Sequence, residues 1–171
     1  SVDEQGNLLY SGTPGTGGFS DVKRGDWYAP YVAFAKRYGI ANGYLDGTFR
    51  PEQPVSRAEL VKLIASYFTV EGGTSPFPDV PAGHWAAEVV SFAAEEGWVS
   101  GYLDGTFRPD APVSRAEAVK ILNHALDRRA GERAAALPFT DVEKGHWACD
   151  EIREAAVSHT YRKSGEGETW L

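Results

Sequence analysis

The sequence predicts an all-α protein made of three tandem helical repeats. Three observations carry that prediction. Phe-x-Asp-Val occurs three times, as Phe19–Val22, Phe77–Val80 and Phe139–Val142, each time followed by a turn and a Trp (Trp27, Trp85, Trp147). The Trp spacings are 58 and 62 residues, and a period near 60 is the signature of a repeat architecture. Gly43–Glu59, GYLDGTFRPEQPVSRAE, returns as Gly101–Glu117, GYLDGTFRPDAPVSRAE, with 15 of 17 positions identical.

Residues 1–18 are polar, end in SGTPGTGG and read as a flexible lead-in. Repeats then occupy 19–76, 77–138 (with the connector DRRAGERAAALP) and 139–171. A first helix should open after each Trp, with Asp26 a good N-cap and His84 and His146 weaker caps at the same place. Val32, Val90 and Ile152, then Ala35, Ala93 and Ala155, fall three apart on one face of these helices. Small residues at matching places suit a central three-helix bundle with pseudo-threefold symmetry. Gly39 and Gly97 read as helix stops. Asp46-Gly47 and Asp104-Gly105 are turn signals.

Each second helix is announced by a capping box, Ser56 with Glu59 and Ser114 with Glu117, so both glutamates read as structural caps. Leu60, Leu63, Ile64, Tyr67 and Phe68 form its expected apolar stripe, echoed by Ala118, Ile121, Leu122, Ala125 and Leu126. The third copy has no such loop or box. Lys163 stands where the loop glycine belongs, and Tyr161 is expected to pack.

Composition narrows the function. The chain is 42% apolar and 24% charged, an ordinary globular mixture. A net charge of −7 argues against nucleic acid as partner. No apolar run approaches a membrane span, so membrane insertion is not expected. Ser1 in place of Met reads as a trimmed start, so a missing secretion signal says nothing about the natural protein. Cys149 is alone, which excludes a disulfide framework.

The pattern FxDV, Trp, GYxDGTFRP, V-[ST]-R-A-E resembles the S-layer homology domain, which occurs in tandem threes on bacterial surface proteins. The resemblance covers Phe19 to about Tyr161. It implies a three-pronged pseudo-trimer that anchors proteins to the bacterial cell wall by holding secondary wall polysaccharide, often pyruvylated N-acetylmannosamine, in grooves between prongs. It also implies a secreted, surface location. The family motif T-R-A-E stands here as Ser56–Glu59 and Ser114–Glu117, and its absence from the third repeat leaves two well-formed sites at most.

Arg57 and Arg115 follow the caps, where a cation mildly opposes the helix dipole. A guanidinium beside free helix amides suits the carboxylate of an acidic sugar; the bland alternative is an Arg paired with a neighbouring acid. Tyr44 and Tyr102 are stacking candidates. Trp85 and Trp147 stand open between core and sugar platform, as does Trp27. Asp79 and Asp141, with Asp21, recur in all three copies, which favours a shared turn or cap over groove lining. With Ser56 and Ser114, these residues complete the candidate ligand set. A single Asp per DGT loop does not make a calcium site, and His84 and His146 lack a second ligand at zinc-like spacing, so no metal or cofactor is expected. No pair of carboxylates or nucleophile–base arrangement suggests an enzyme. The module is expected to be monomeric. A structural or protein-interaction role in surface-layer assembly, without sugar binding, is the alternative.

Overall fold

The first helices start later than the Trp residues suggest, because a turn intervenes. In the computed structural model, which describes residues 15–128, 137–164 and 167–170, the Ala29, Ala87 and Cys149 amides donate to the carbonyls of Asp26, His84 and His146. α1 (Ala29–Arg37), α3 (Ala87–Glu95) and α5 (Cys149–Ala156) follow, and none has a side-chain N-cap. The His84 and His146 rings cap the preceding turn instead, accepting from the amides of Ala86 (3.1 Å) and Ala148 (3.2 Å). Asp26 accepts from the Lys23 amide, three residues before it. Most of the lead-in (residues 1–14), the middle of the connector (129–136) and Leu171 lie outside the described residues.

α2 (Arg57–Ala65) and α4 (Arg115–Ala125) open on complete capping boxes, with Ser56 and Ser114 accepting from the Glu59 and Glu117 amides and the glutamates reaching back. α1 and α3 end on Gly39 and Gly97, whose positive φ (71° and 72°) lets the chain turn out of the helix. The described residues are all-α except for one antiparallel hairpin, β1 (Tyr161–Ser164) with β2 (Gly167–Trp170), paired from Tyr161↔Trp170 to Ser164↔Gly167. This hairpin stands where the first two repeats carry their loop and second helix. Tyr161 is exposed rather than packed in a core. Among the described residues, no helix is long and apolar enough to cross a membrane.

The chain divides into two compact units, Ser1–Pro54 and Val55–Leu171. The boundary falls inside the near-repeated stretch, so α2 joins the second repeat. The first unit has a small core of Phe19, Val22, Ala29 and Val32, with Tyr28 and Phe49 against it. In the second unit α2 pairs with α3 and α4, and α4 pairs with α5. The described α3 and α5 of this unit do not pack on each other.

The buried face of α2 is Ala58, Val61, Ile64 and Ala65, which corrects the expected stripe. Tyr67 and Phe68 are exposed, as are Leu122 and Leu126 in the second copy. Two neighbours flank α2, so a face of small residues between them is buried while the larger side chains lie at its margin. Trp27, Trp85 and Trp147 are all exposed, which removes them from the core. The core indole is Trp98, packed against Phe68 and Phe92 with ring centroids 4.8 and 5.2 Å away.

α5 is fastened to α4 through polar groups. The Asn123 amide donates to Glu151, and Arg128 and His159 meet the buried Glu154 carboxylate at 3.0 and 3.3 Å. Its apolar anchoring is slight, with Ala155 exposed, Ile152 half-buried and Cys149 a free, buried thiol.

Candidate functional site

Most of the near-repeated stretch builds a rigid loop. Asp104 accepts from the Thr106 amide and hydroxyl and from the Arg108 guanidinium (2.9 Å). Asp46 holds Thr48 and Arg50 the same way. Asp79 receives the amides of Phe107 (2.9 Å) and Arg108 (2.7 Å), and Asp21 those of Phe49 and Arg50. Asp79 is therefore a backbone clamp. Burial raises its carboxyl pKa, but the two amides outweigh burial and hold it below the usual value. The clamp sustains a left-handed backbone at Arg50 (φ 59°) and Arg108 (φ 57°), an uncommon conformation for a side-chain-bearing residue. Their guanidinium groups lie over Tyr44 and Tyr102, at 3.9 and 4.0 Å from the ring centres. Asp141 has no such loop to hold and is exposed, as is Phe139 before it.

The two motif arginines part company here. Arg57 is only 6% exposed. Its Nε donates to the Phe107 carbonyl (3.0 Å) and its Nη1 to Glu117 Oε1 (3.1 Å), and the guanidinium lies 4.8 Å from the Tyr102 ring centre. Nη2 has no protein partner among the described residues. Glu117 also accepts from the Tyr102 hydroxyl (3.0 Å) and from Ser114. Partial burial raises the Glu117 pKa, yet the Ser114 bonds, then Tyr102 and Arg57, hold it lowered. Arg115, with the same sequence around it, is exposed, and its side chain has no hydrogen bond or ion pair among the described residues.

Beside Arg57 the second unit opens a cleft of about 580 Å³. Its lining includes Tyr102, Ser114, Glu117, Lys120, His124 and Trp147, with Trp98 and the backbone of Gly97–Gly101. The Lys120 ammonium stands 6.0 Å from the Trp147 ring centre, and the indole is 60% exposed. The same pair recurs as Lys62 and Trp85, at 5.2 Å. A cation beside an open indole, next to hydroxyl, carboxylate and backbone groups, provides both a face for a sugar ring and a charge for an acid substituent.

Of the candidate ligand set, Arg57, Tyr102, Ser114 and Trp147 meet in this cleft. Ser56, Trp85, Asp79, Asp141 and Arg115 are not part of its lining, and Tyr44 belongs to the first unit. Lys120 and His124 were not read from the sequence as site residues. Lys62 and Lys120 recur at the same 58-residue offset as the arginines, a signal that was present for the lysine. Nothing in the sequence marks His124, whose partners, the Gly97 carbonyl after α3 and Glu151 on α5, are each 27 residues away along the chain.

Comparison with known proteins finds the S-layer homology domain over residues 18–61 and 76–119, just over half of the chain. The chain is 34% identical over 165 residues to Cell surface glycoprotein 1 of Acetivibrio thermocellus, covering 90% of this chain and 7% of that protein. It is 34% identical over 157 residues to a cellulosome-anchoring protein of the same organism, covering 88% of this chain and 35% of the relative. An S-layer protein of Bacillus licheniformis is 35% identical over 117 residues, 63% of this chain and 13% of the relative. The chain thus spans a minor part of each relative's length.

Proposed function

Because this chain belongs to the S-layer homology domain family, we propose that it fastens a longer protein to the bacterial cell surface, holding an acidic wall polysaccharide in the cleft beside Arg57. The role is anchoring rather than catalysis. The observation that carries this reading is the Lys120–Trp147 pair at the cleft, which joins an open indole to an ammonium group. A sugar ring lies on Trp147, its carboxylate (a pyruvyl ketal, for example) meets Lys120, and its hydroxyls bond Ser114 and the Gly97–Tyr102 backbone. Arg57 contributes Nη2 and at most one Nη1 hydrogen, its Nε being held by Phe107 and Nη1 already engaged with Glu117. Its larger task is to keep Tyr102 and Glu117 in place. Directed hydrogen bonds let a chain of net charge −7 bind a negative polymer.

The segment from Phe139 acts as a third, degenerate repeat, supported by the shared His-capped turn at His84 and His146. Trp147 from that segment contributes to the cleft, which gives the segment a use despite its missing loop.

The test is binding to purified wall polysaccharide, intact and with its acid groups removed. Trp147→Ala and Lys120→Ala should each weaken binding about tenfold, the equivalent of about 1.4 kcal/mol, with the fold unchanged by circular dichroism. Removing the acid groups should erase the Lys120 effect and leave that of Trp147. Wild-type binding by Trp147→Ala refutes this placement of the sugar. The double change Arg57→Ala, Arg115→Ala separates the arginines: if it binds as wild type does, neither contributes.

A further inference from the structure

The two second helices start alike in sequence, but among the described residues only the start of α2 is paired with another segment. The segment Val55–Ala58 lies antiparallel to Pro109–Val113. Val113 donates to the Val55 carbonyl, Arg57 to that of Ala111 and Ala58 to that of Pro109, each at 3.0 Å, and Ser56 is bridged to Pro112. These bonds satisfy two first-turn amides that a helix leaves without internal partners. Arg57 adds its side-chain bond to Phe107, and Arg57 and Ala58 are buried as a result.

α4 starts with the same residues, Val113–Ala116, in the opposite condition. Among the described residues, the Arg115 and Ala116 amides and the Arg115 guanidinium have no hydrogen-bond partner. Ser114 and Arg115 are exposed. The counterpart of the receiving segment is also unused. Pro51–Val55 repeats Pro109–Val113 except at Glu52 and Gln53, and the Pro51 and Gln53 carbonyls accept no hydrogen bond among the described residues. Phe49 is only half-buried, whereas its counterpart Phe107 is fully buried. Along the chain, the β1–β2 hairpin follows α5 where α1 and α3 are followed by the Asp-Gly loop.

We propose that a second copy of this chain completes a second such junction. Val113–Ala116 of one copy docks on Pro51–Val55 of another, with Arg115 reaching the Phe49 carbonyl as Arg57 reaches that of Phe107. The near-identity of the two stretches makes the internal junction a template for the external one. The contact is head-to-tail, so it extends into a row or closes into a ring. One helix start on one loop is a small interface, which places the association at about 0.1–1 mM protein. This inference does not rest on the glycan reading, although the docked segment shares Ser114 with the cleft.

Sedimentation equilibrium of the full chain tests it. The average mass should rise with concentration above the monomer value, and Arg115→Glu should weaken association at least tenfold with an unchanged circular dichroism spectrum. Mixing a Pro54→Cys chain with a Ser114→Cys chain should give a disulfide-linked heterodimer, because Ser56 and Pro112 are the bridged pair in the internal junction. A constant monomer mass up to 1 mM (on the order of the expected dissociation constant) together with no mixed disulfide overturns the proposal. Association that Arg115→Glu leaves unchanged overturns it equally.

Discussion

Replacing Arg57 by Ala removes two bonds from a charged donor, to Phe107 and to Glu117, and leaves both acceptors in a mostly buried junction. A hydrogen bond to a charged group contributes about 1.5–3 kcal/mol, and breaking a fully buried ion pair costs about 3–5 kcal/mol. The Glu117 side chain is 24% exposed and keeps its bonds from Ser114 and Tyr102, so the loss falls toward the lower end. About 3 kcal/mol is expected. Arg115→Ala is the internal control, since it removes the same side chain from nearly the same sequence. Its guanidinium is exposed and unpaired among the described residues, so its loss should cost no more than about 0.5 kcal/mol. Urea unfolding at dilute protein, followed by circular dichroism and by the fluorescence of buried Trp98, distinguishes them. With an m-value of about 1.5 kcal/mol/M, Arg57→Ala lowers the midpoint by about 2 M. Equal shifts for the two variants, or a loss under about 1 kcal/mol at Arg57, refute the assignment of Arg57 as a structural strut.

Two further outcomes follow from the loop. At Gly101 (φ 69°) an added Cβ would come within 2.5 Å of the Phe77 ring and 2.9 Å of the Thr106 carbonyl, whereas at Gly105 (φ 78°) nothing lies within 4 Å. Gly101→Ala should cost roughly 3 kcal/mol and Gly105→Ala about 1 kcal/mol by thermal melting; equal melting points would contradict the packing of Phe77 over the loop. Asp46 titrates at about 2, held there by the Thr48 hydroxyl, then by Arg50 and the Thr48 amide, and Asp104 is lowered by Thr106 and Arg108. Both folded values lie below the ordinary 3.8, so the stability they contribute is complete above about pH 4 and is lost as pH falls toward about 2. Asp104→Asn should flatten part of that acid limb in a circular dichroism titration, and an unchanged limb would show that Asp104 does not contribute.

The sequence announced the parts whose causes are local. Ser-x-x-Glu satisfies amides three residues away, so both capping boxes could be read directly. Gly39, Gly97 and the Asp-Gly turns likewise answer to the chain beside them. The faces were harder. Leu60, Leu63, Tyr67 and Phe68 carry the larger hydrophobic signal, but Ala58 and Val61 are buried because α3 and α4 both flank α2. Trp was ambiguous at the helix starts, and Trp98 escaped notice because it follows α3 outside any repeated motif. Lys120 could have been found by aligning the repeats one step further, whereas His124 could not.

The repeat, the helical class, the caps and the prominence of the Arg57 stretch are legible along the chain, because they follow from spacing and nearest-neighbour chemistry. That two nearly identical stretches differ in state emerges from packing alone. Arg57 meets the second repeat's loop and is buried with an acid, whereas Arg115 has a hairpin in place of a third loop and stays in water. The arginines share their neighbours along the chain and differ in their neighbours in space, which set burial and pairing.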